Sequence, residues 1–195
     1  MIGAALVVAC TIAAQAAAPA PAPAPAGRRY VLAEPTTARF TVTTNVGVVE
    51  GTIDVTRVDA RGLDWGAFEL WIELDPTSLK ARDPVLDAYF ARTILRADEG
   101  PIVAGSAEKV LPRARVDAAT TDDPRAIARF YLDGRRGGRM VEARIASTVD
   151  GDTARVQLSA EGTPASFGLP PSTHPFVEIT GPLVVDLDAP LVRKR

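Results

Sequence analysis

From Tyr30 onward the chain alternates apolar and polar residues in short runs, interrupted about every ten positions by Gly, Asp or Pro, as antiparallel strands with one buried face require. The run Phe68-Glu-Leu-Trp-Ile-Glu-Leu74 shows the period best. Phe68, Leu70, Ile72 and Leu74 share one face, and Glu69, Trp71 and Glu73 share the other. Similar alternation marks Phe40 to Val42, Ile53 to Val55, Phe130 to Leu132, Val141 to Ile145, Val156 to Ala160 and Leu183 to Leu187. These runs predict about eight strands. Asp133-Gly134 and Asp150-Gly151 fall between runs, where Gly and Asp tolerate the positive φ of tight hairpin turns.

One segment departs from the alternation. In Arg82 to Leu95, Asp83 stands at a helix N-cap, Pro84 at the first helical position, and Leu86, Tyr89, Phe90, Thr93 and Ile94 recur at helical spacing. This predicts one short helix between the third and fourth strands. Pro112 to Pro124 is polar and Ala-rich without a sustained period and reads as a long loop.

Eight antiparallel strands can close into a barrel, which removes exposed edges and leaves an interior wide enough for one small ligand. In the strand phase above, the outward residues include Arg39, Glu69, Glu73, Arg129, Arg144, Arg155 and Gln157. A surface facing lipid does not carry that many charges at depth, so the reading is a soluble, all-β, eight-stranded antiparallel barrel. Its inward face is aliphatic and phenylalanine-rich: Phe40, Val42, Phe68, Leu70, Ile72, Phe130, Leu132, Ile145, Val156 and Leu158 share the inward phase. Any interior ligand is therefore apolar. A solid core produces the same alternation, so periodicity leaves a filled and a hollow barrel both open.

The N-terminus differs in composition. Met1 to Ala18 is apolar and ends in Ala14-Gln15-Ala16, a small-x-small cleavage pattern, so residues 1–16 read as a secretory signal peptide, although no Lys or Arg precedes the apolar core. A membrane anchor competes with this reading, but a span needs about 20 apolar residues and Gln15 interrupts the run. Val7-Val8-Ala9-Cys10 also resembles a lipobox, in which Cys10 would carry a lipid anchor. Residues 17–29 form a linker whose alternating Pro and Ala, Pro19 to Ala26, favour extended polyproline II. The folded domain then spans residues 30–191, and the expected location is periplasmic or secreted.

Composition excludes more than it suggests. All 22 Lys and Arg and all 24 Asp and Glu lie after Gly27, a formal charge of −2 with no basic excess for nucleic acid. Cys10 is the only cysteine and His174 the only histidine, which removes disulfides, thiolate zinc sites and Cys nucleophiles from the domain. No G-x-S-x-G elbow occurs. Ser106 follows a Gly within a strand-like run, and Glu69 with Glu73 sits on an outward face where solvation is the ordinary role. Asp150-Gly151-Asp152 opens like a calcium loop but lacks the Glu that closes one, and a hairpin turn accounts for it. No catalytic or metal-binding residues are assigned, no cofactor is expected, and the chain reads as a non-enzyme.

The order of features is more specific. Tyr30 opens the domain, Phe40 lies in the first strand and Gly51-x-Ile53 in the second. Leu74-Asp75-Pro76-Thr77-Ser78-Leu79 ends the third, followed by Arg82-Asp83-x-x-Leu86-x-x-x-Phe90, Pro101-Ile-Val-Ala-Gly-Ser106 and Ser166-Phe167-Gly168-Leu169. This order resembles the YceI-like family of secreted polyisoprenoid-binding proteins from Tyr30 to about Leu191. Departures occur where the family usually shows a His after the first strand, here Thr43 to Gly47; an aromatic at Ala104; and an Arg before the Phe-Gly step, here Pro164-Ala165. Smaller side chains in a barrel wall widen its interior and remove polar handles.

The resemblance implies a lipocalin-like barrel that holds an amphiphilic lipid, isoprenoid or quinone-like, in its lumen and carries it without transforming it. The inward residues above would then line the lipid tail. Leu86 and Phe90 on the helix, and Phe167 in the Phe-Gly step, would complete the site, with the helix capping the barrel mouth. Two other classes stand beside this reading: a protein-interaction module with a filled core, and a hydrolase, which the lack of a nucleophile–base pair disfavours. The lipid is the expected partner, with no nucleic acid and no stable transmembrane span in the mature protein.

Overall fold

A computed structural model describes residues 27–63, 68–81, 83–107, 109–110, 126–132, 139–171 and 176–195. The predicted signal peptide, the Pro-Ala tract, Arg82, the Pro112–Pro124 loop, the Asp133-Gly134 turn and His174 lie outside these residues. The strands are β1 Arg29–Leu32, β2 Thr36–Thr44, β3 Gly47–Arg61, β4 Glu69–Lys80, β5 Ile102–Ser106, β6 Ala126–Leu132, β7 Met140–Asp150, β8 Thr153–Gly162 and β9 Ile179–Arg193. One α-helix, α1, spans Pro84–Tyr89.

All strand pairings are antiparallel, and the order β3-β2-β9-β8-β7-β6-β5-β4 returns to β3 through the β3–β4 pairing, closing an eight-stranded barrel. The additional strand β1 pairs with the same two neighbours as β2, further along them: Val31 opposes Asp59 and Val192, whereas Ala38 opposes Ile53 and Leu187. β1 and β2 thus fill one barrel position, interrupted near Pro35, which has no N–H to give a ladder. Four residues are too few to establish an alternation, so β1 is not legible as a strand. The helix consequently follows β4 rather than a third strand. Its start is as the sequence predicts, with the Asp83 carboxylate accepting from the Val85 N–H at 2.8 Å and Pro84 in the first turn.

β4 carries the device that leads into the helix. The β3–β4 register slips between Thr52 and Asp54, where Thr52 faces Lys80 but Asp54 faces Asp75. Pro76 cannot extend the ladder there, and local bonds replace it. The Thr77 N–H donates to Asp75 Oδ1 at 2.9 Å and the Asp54 N–H donates to Ser78 Oγ at 2.7 Å. The Asp-Pro-Thr-Ser step is therefore a bulge that coils β4 over the barrel end and turns Leu79 inward. Gly51, opposite Phe40, is required at the same level: a side chain there would collide with the Phe40 ring and the Lys80 carbonyl.

The two ends of the barrel differ. At one end Tyr30, Val58, Phe68, Leu70, Ile145, Val156 and Leu191 are each at most 2% exposed and pack into one continuous cluster. At the other end a second cluster joins Leu79, Phe90, Ala91 and Ile94 to Phe40, Val49, Leu169 and Ile179. Between Phe90 and Ile94 the helix widens into a π turn, closed by the Leu95 N–H donating to the Phe90 carbonyl at 2.8 Å, which brings Phe90, Ala91 and Ile94 all onto the buried side.

Outside the filled end, Asp59 is only 7% exposed and meets three arginines. Arg29 Nε donates to its Oδ1 at 2.8 Å, Arg57 Nη2 lies 3.4 Å from Oδ2, and Arg61 Nε lies 3.8 Å from Oδ1. Burial works to raise the Asp59 carboxyl, but the hydrogen bond and charge of Arg29, helped by Arg57 and Arg61, outweigh it and hold the group below the usual carboxylate range. A carboxyl lowered in the folded state contributes stability that is complete above its unfolded pKa, about 3.9, and is lost as pH falls through the folded value. Thermal melts should therefore show the midpoint falling below about pH 4, and Asp59→Asn should flatten that acid limb while lowering the midpoint at neutral pH. An unchanged acid limb in Asp59→Asn would remove this pair from the account of acid stability.

Candidate functional site

The sequence-predicted inward residues divide into two groups. Phe40, Val42, Ile72 and Phe130 line an internal cavity of about 170 Å³, together with Leu132, Leu158, Phe90 and Phe167. Phe68, Leu70, Ile145 and Val156 do not reach it: they point inward but belong to the filled end. Leu86 is half-buried behind Phe90 and packs against the helix cluster without lining the cavity. The boundary runs between inward neighbours of single strands: Leu70 from Ile72 in β4, Ile145 from Ala143 in β7, and Val156 from Leu158 in β8. Neighbours of that kind stand only about 7 Å apart along a strand.

Small residues make the space. Ala38, Ala104, Ala143 and Ala160 all contribute to the wall, and Ala143 opposes Ala160 directly across β7 and β8. An inward alanine among larger aliphatics was the available signal for these positions, and Ala104 is also where the sequence departs from the aromatic of the family it resembles. The roof consists of Leu79, Phe90, Ile94 and Leu95 from the β4 bulge and the π turn. Pro164, Phe167 and Leu169 contribute from the 3-10 turn Pro164–Phe167 and the residues after it. That turn is held by Thr163, whose Oγ1 accepts from the Ser166 N–H at 3.3 Å, and by Gly168 at φ 72°.

Every lining residue is Ala, Val, Leu, Ile, Phe or Pro. Among the described residues no charged or hydrogen-bonding side chain lines the cavity, so the chemistry it offers is burial of an apolar group. Ser106, the residue nearest to a nucleophile pattern, is occupied instead in the ladder, where its Oγ accepts from the Leu70 N–H at 3.0 Å. Glu73 accepts from Trp71 Nε1 and from Arg57, each at 3.1 Å, and serves an outer-face network.

The division of the inward residues has a direct consequence. Leu70→Ala removes a side chain that is 2% exposed in the filled end and should lower stability by about 2–5 kcal/mol. Apolar ligand affinity of the folded protein should stay unchanged, as read by denaturant melts beside a binding titration. A large affinity loss with little loss of stability would place Leu70 at the ligand.

The fold and cavity together define a closed β-barrel, solid at one end and hollow at the other, with the hollow end roofed by the β4 bulge and the π turn. Solved structures of the same architecture exist. A polyisoprenoid-binding domain from Saccharophagus degradans implicated in plant cell wall breakdown superposes with a TM-score of 0.54 at 13% identity, covering 85% of this chain and 98% of that one. Burkholderia cenocepacia BcnA superposes with a TM-score of 0.55 at 10% identity, covering 81% of this chain and 96% of that one. No family model matches the chain, and no curated protein matches it. At such identities the likeness shows the fold alone, a closed antiparallel barrel shared with these two proteins.

Proposed function

We propose that the protein binds an amphiphilic lipid of the isoprenoid or quinone-like class by its apolar tail and carries it without chemical change. The observation that carries this reading is the wholly apolar lining of the cavity beneath α1 and the π turn. Burying a tail there supplies affinity at about 25 cal/mol per Å² of apolar surface and requires no acid, base or metal. The polyisoprenoid-binding domain of the same fold supports the ligand class. A filled-core interaction module fits less well, because only one end of the barrel is filled.

The cavity volume limits how the ligand sits. A dry cavity of roughly 150 Å³ accepts a benzene-sized guest, and drug-sized ligands occupy about 300 Å³ or more. At about 170 Å³ the space takes one end of a tail. The rest of a longer chain leaves through the mouth, or enters after the roof lifts. The headgroup stays outside in either case.

Native mass spectrometry of protein purified from cells tests the reading. A co-purified hydrophobic mass, or uptake of a fluorescent prenol by delipidated protein, is expected. A clean apo mass together with no prenol uptake would overturn it. Export belongs to the same proposal and is supported by the apolar first 16 residues and the Pro-Ala tract. A mature N-terminus at Ala17 supports a cleaved signal, whereas an acylated Cys10 makes the protein a lipoprotein.

A further inference from the structure

Nine large apolar side chains stand exposed among the described residues, and the most exposed of them gather at one end of the barrel. Among the described residues the four most exposed are Phe176 at 77%, Val85 at 70%, Val46 at 64% and Val48 at 58%. All four belong to the hollow end. Val46 and Val48 form the tip of the β2–β3 hairpin, and Val85 is in the first turn of α1. Phe176 is tied to the hairpin through Asn45, whose Nδ2 donates to the Phe176 carbonyl at 3.4 Å and whose Oδ1 accepts from the Glu178 N–H at 2.8 Å. The hairpin and the helix both belong to the cluster that roofs the cavity, through Phe40 and Val49 on one side and Leu86 and Phe90 on the other.

The hairpin is built to present its tip. Thr44, 5% exposed, donates from Oγ1 to the Gly47 carbonyl at 2.6 Å and accepts there from the Val46 N–H at 3.3 Å, which fixes the turn. β4 ends at Lys80 opposite Thr52, so the tip stands five or more residues beyond it, an overhang of roughly 15–20 Å. The described charges toward this end are of both signs: Glu50, Asp83 and Glu178 beside Lys80, Arg92 and Arg139. The four exposed side chains give this end an apolar attraction that salt does not screen.

We propose that the hollow end of the barrel docks on a lipid bilayer, with Val46, Val48, Val85 and Phe176 inserted among the headgroups and the cavity mouth facing the membrane. Isolated apolar side chains on projecting tips enter the upper 5–10 Å or so of a bilayer, as interfacial apolar faces do. The occupant follows from the cavity: its lining admits no headgroup, so a lipid drawn tail-first leaves its headgroup in the plane where these side chains sit. The proposal rests on the lipid-binding reading above.

The test uses the delipidated full-length protein, neutral phosphatidylcholine vesicles and a fluorescent prenol. The wild type should float with vesicles at low and high salt alike. Val46→Asp/Val48→Asp should reduce flotation at least about tenfold and slow prenol pickup from vesicles in proportion, with prenol affinity in vesicle-free solution unchanged. Ile127→Asp, placed on the side wall at a position 56% exposed, should behave as wild type. Val85→Asp, on a separate element, should weaken flotation in the same direction and decides the matter if the hairpin variant melts early. A wild type that does not float, variants that float as wild type does, or an Ile127→Asp loss equal to the hairpin loss would each overturn docking. Prenol binding without flotation overturns docking alone, whereas absence of prenol binding in solution overturns the lipid reading beneath it.

Discussion

Ala143→Phe should give a folded barrel that no longer takes up an apolar ligand. Ala143 lies 4% exposed on the inward face of β7, opposite Ala160 of β8, and both side chains border the cavity. A phenyl ring is the size of guest that a cavity of roughly this volume accepts, so the new side chain replaces the ligand instead of displacing core. Overpacking a full core costs about 1–3 kcal/mol, but here the added atoms meet a void and gain contacts, so stability should change by less than about 1.5 kcal/mol. A fluorescent prenol titration beside a denaturant melt reads both quantities. Uptake at wild-type affinity by a folded Ala143→Phe protein would show that the ligand binds elsewhere.

Phe90→Ala should act on both release and stability. Phe90 begins the π turn, is 4% exposed, meets Tyr89 edge-on with ring centroids 5.7 Å apart, and faces the cavity. Truncating a fully packed Phe costs about 3–5 kcal/mol; because one face of this ring borders open space, the loss should lie near 3 kcal/mol or below. Removing it also opens the roof, so prenol should dissociate at least about tenfold faster, which corresponds to about 1.4 kcal/mol. Stopped-flow release beside the thermal midpoint of delipidated protein separates the effects. A stability loss with an unchanged off-rate would make Phe90 a packing residue and not a lid.

Both predictions concern positions that border the cavity, and the sequence does not encode the height of a residue in the barrel in a local way. The alternation in Phe68 to Leu74 correctly separates inward Leu70 and Ile72 from outward Glu69 and Trp71, because side-chain direction in a strand depends only on parity. It cannot say that Leu70 stands in solid core while Ile72 meets the cavity. The same holds for Ile145 with Ala143 and for Val156 with Leu158. Their fate depends on which residues the other strands bring to the same height, and cross-strand register sets that.

The chain by itself determined the strand runs, the inward face, the Asp83-Pro84 helix start and the apolar character of anything held inside, since each follows from residue type and short-range spacing. Only the tertiary structure decided that β1 completes the β2 position, that the Asp75 to Ser78 step is a bulge, and that Leu86 backs the roof while Phe90 lines it. It also decided that four alanines far apart in sequence border a single void. The physical reason is that closure of the barrel sums the register of all eight pairings, and both the void and its roof are properties of that sum.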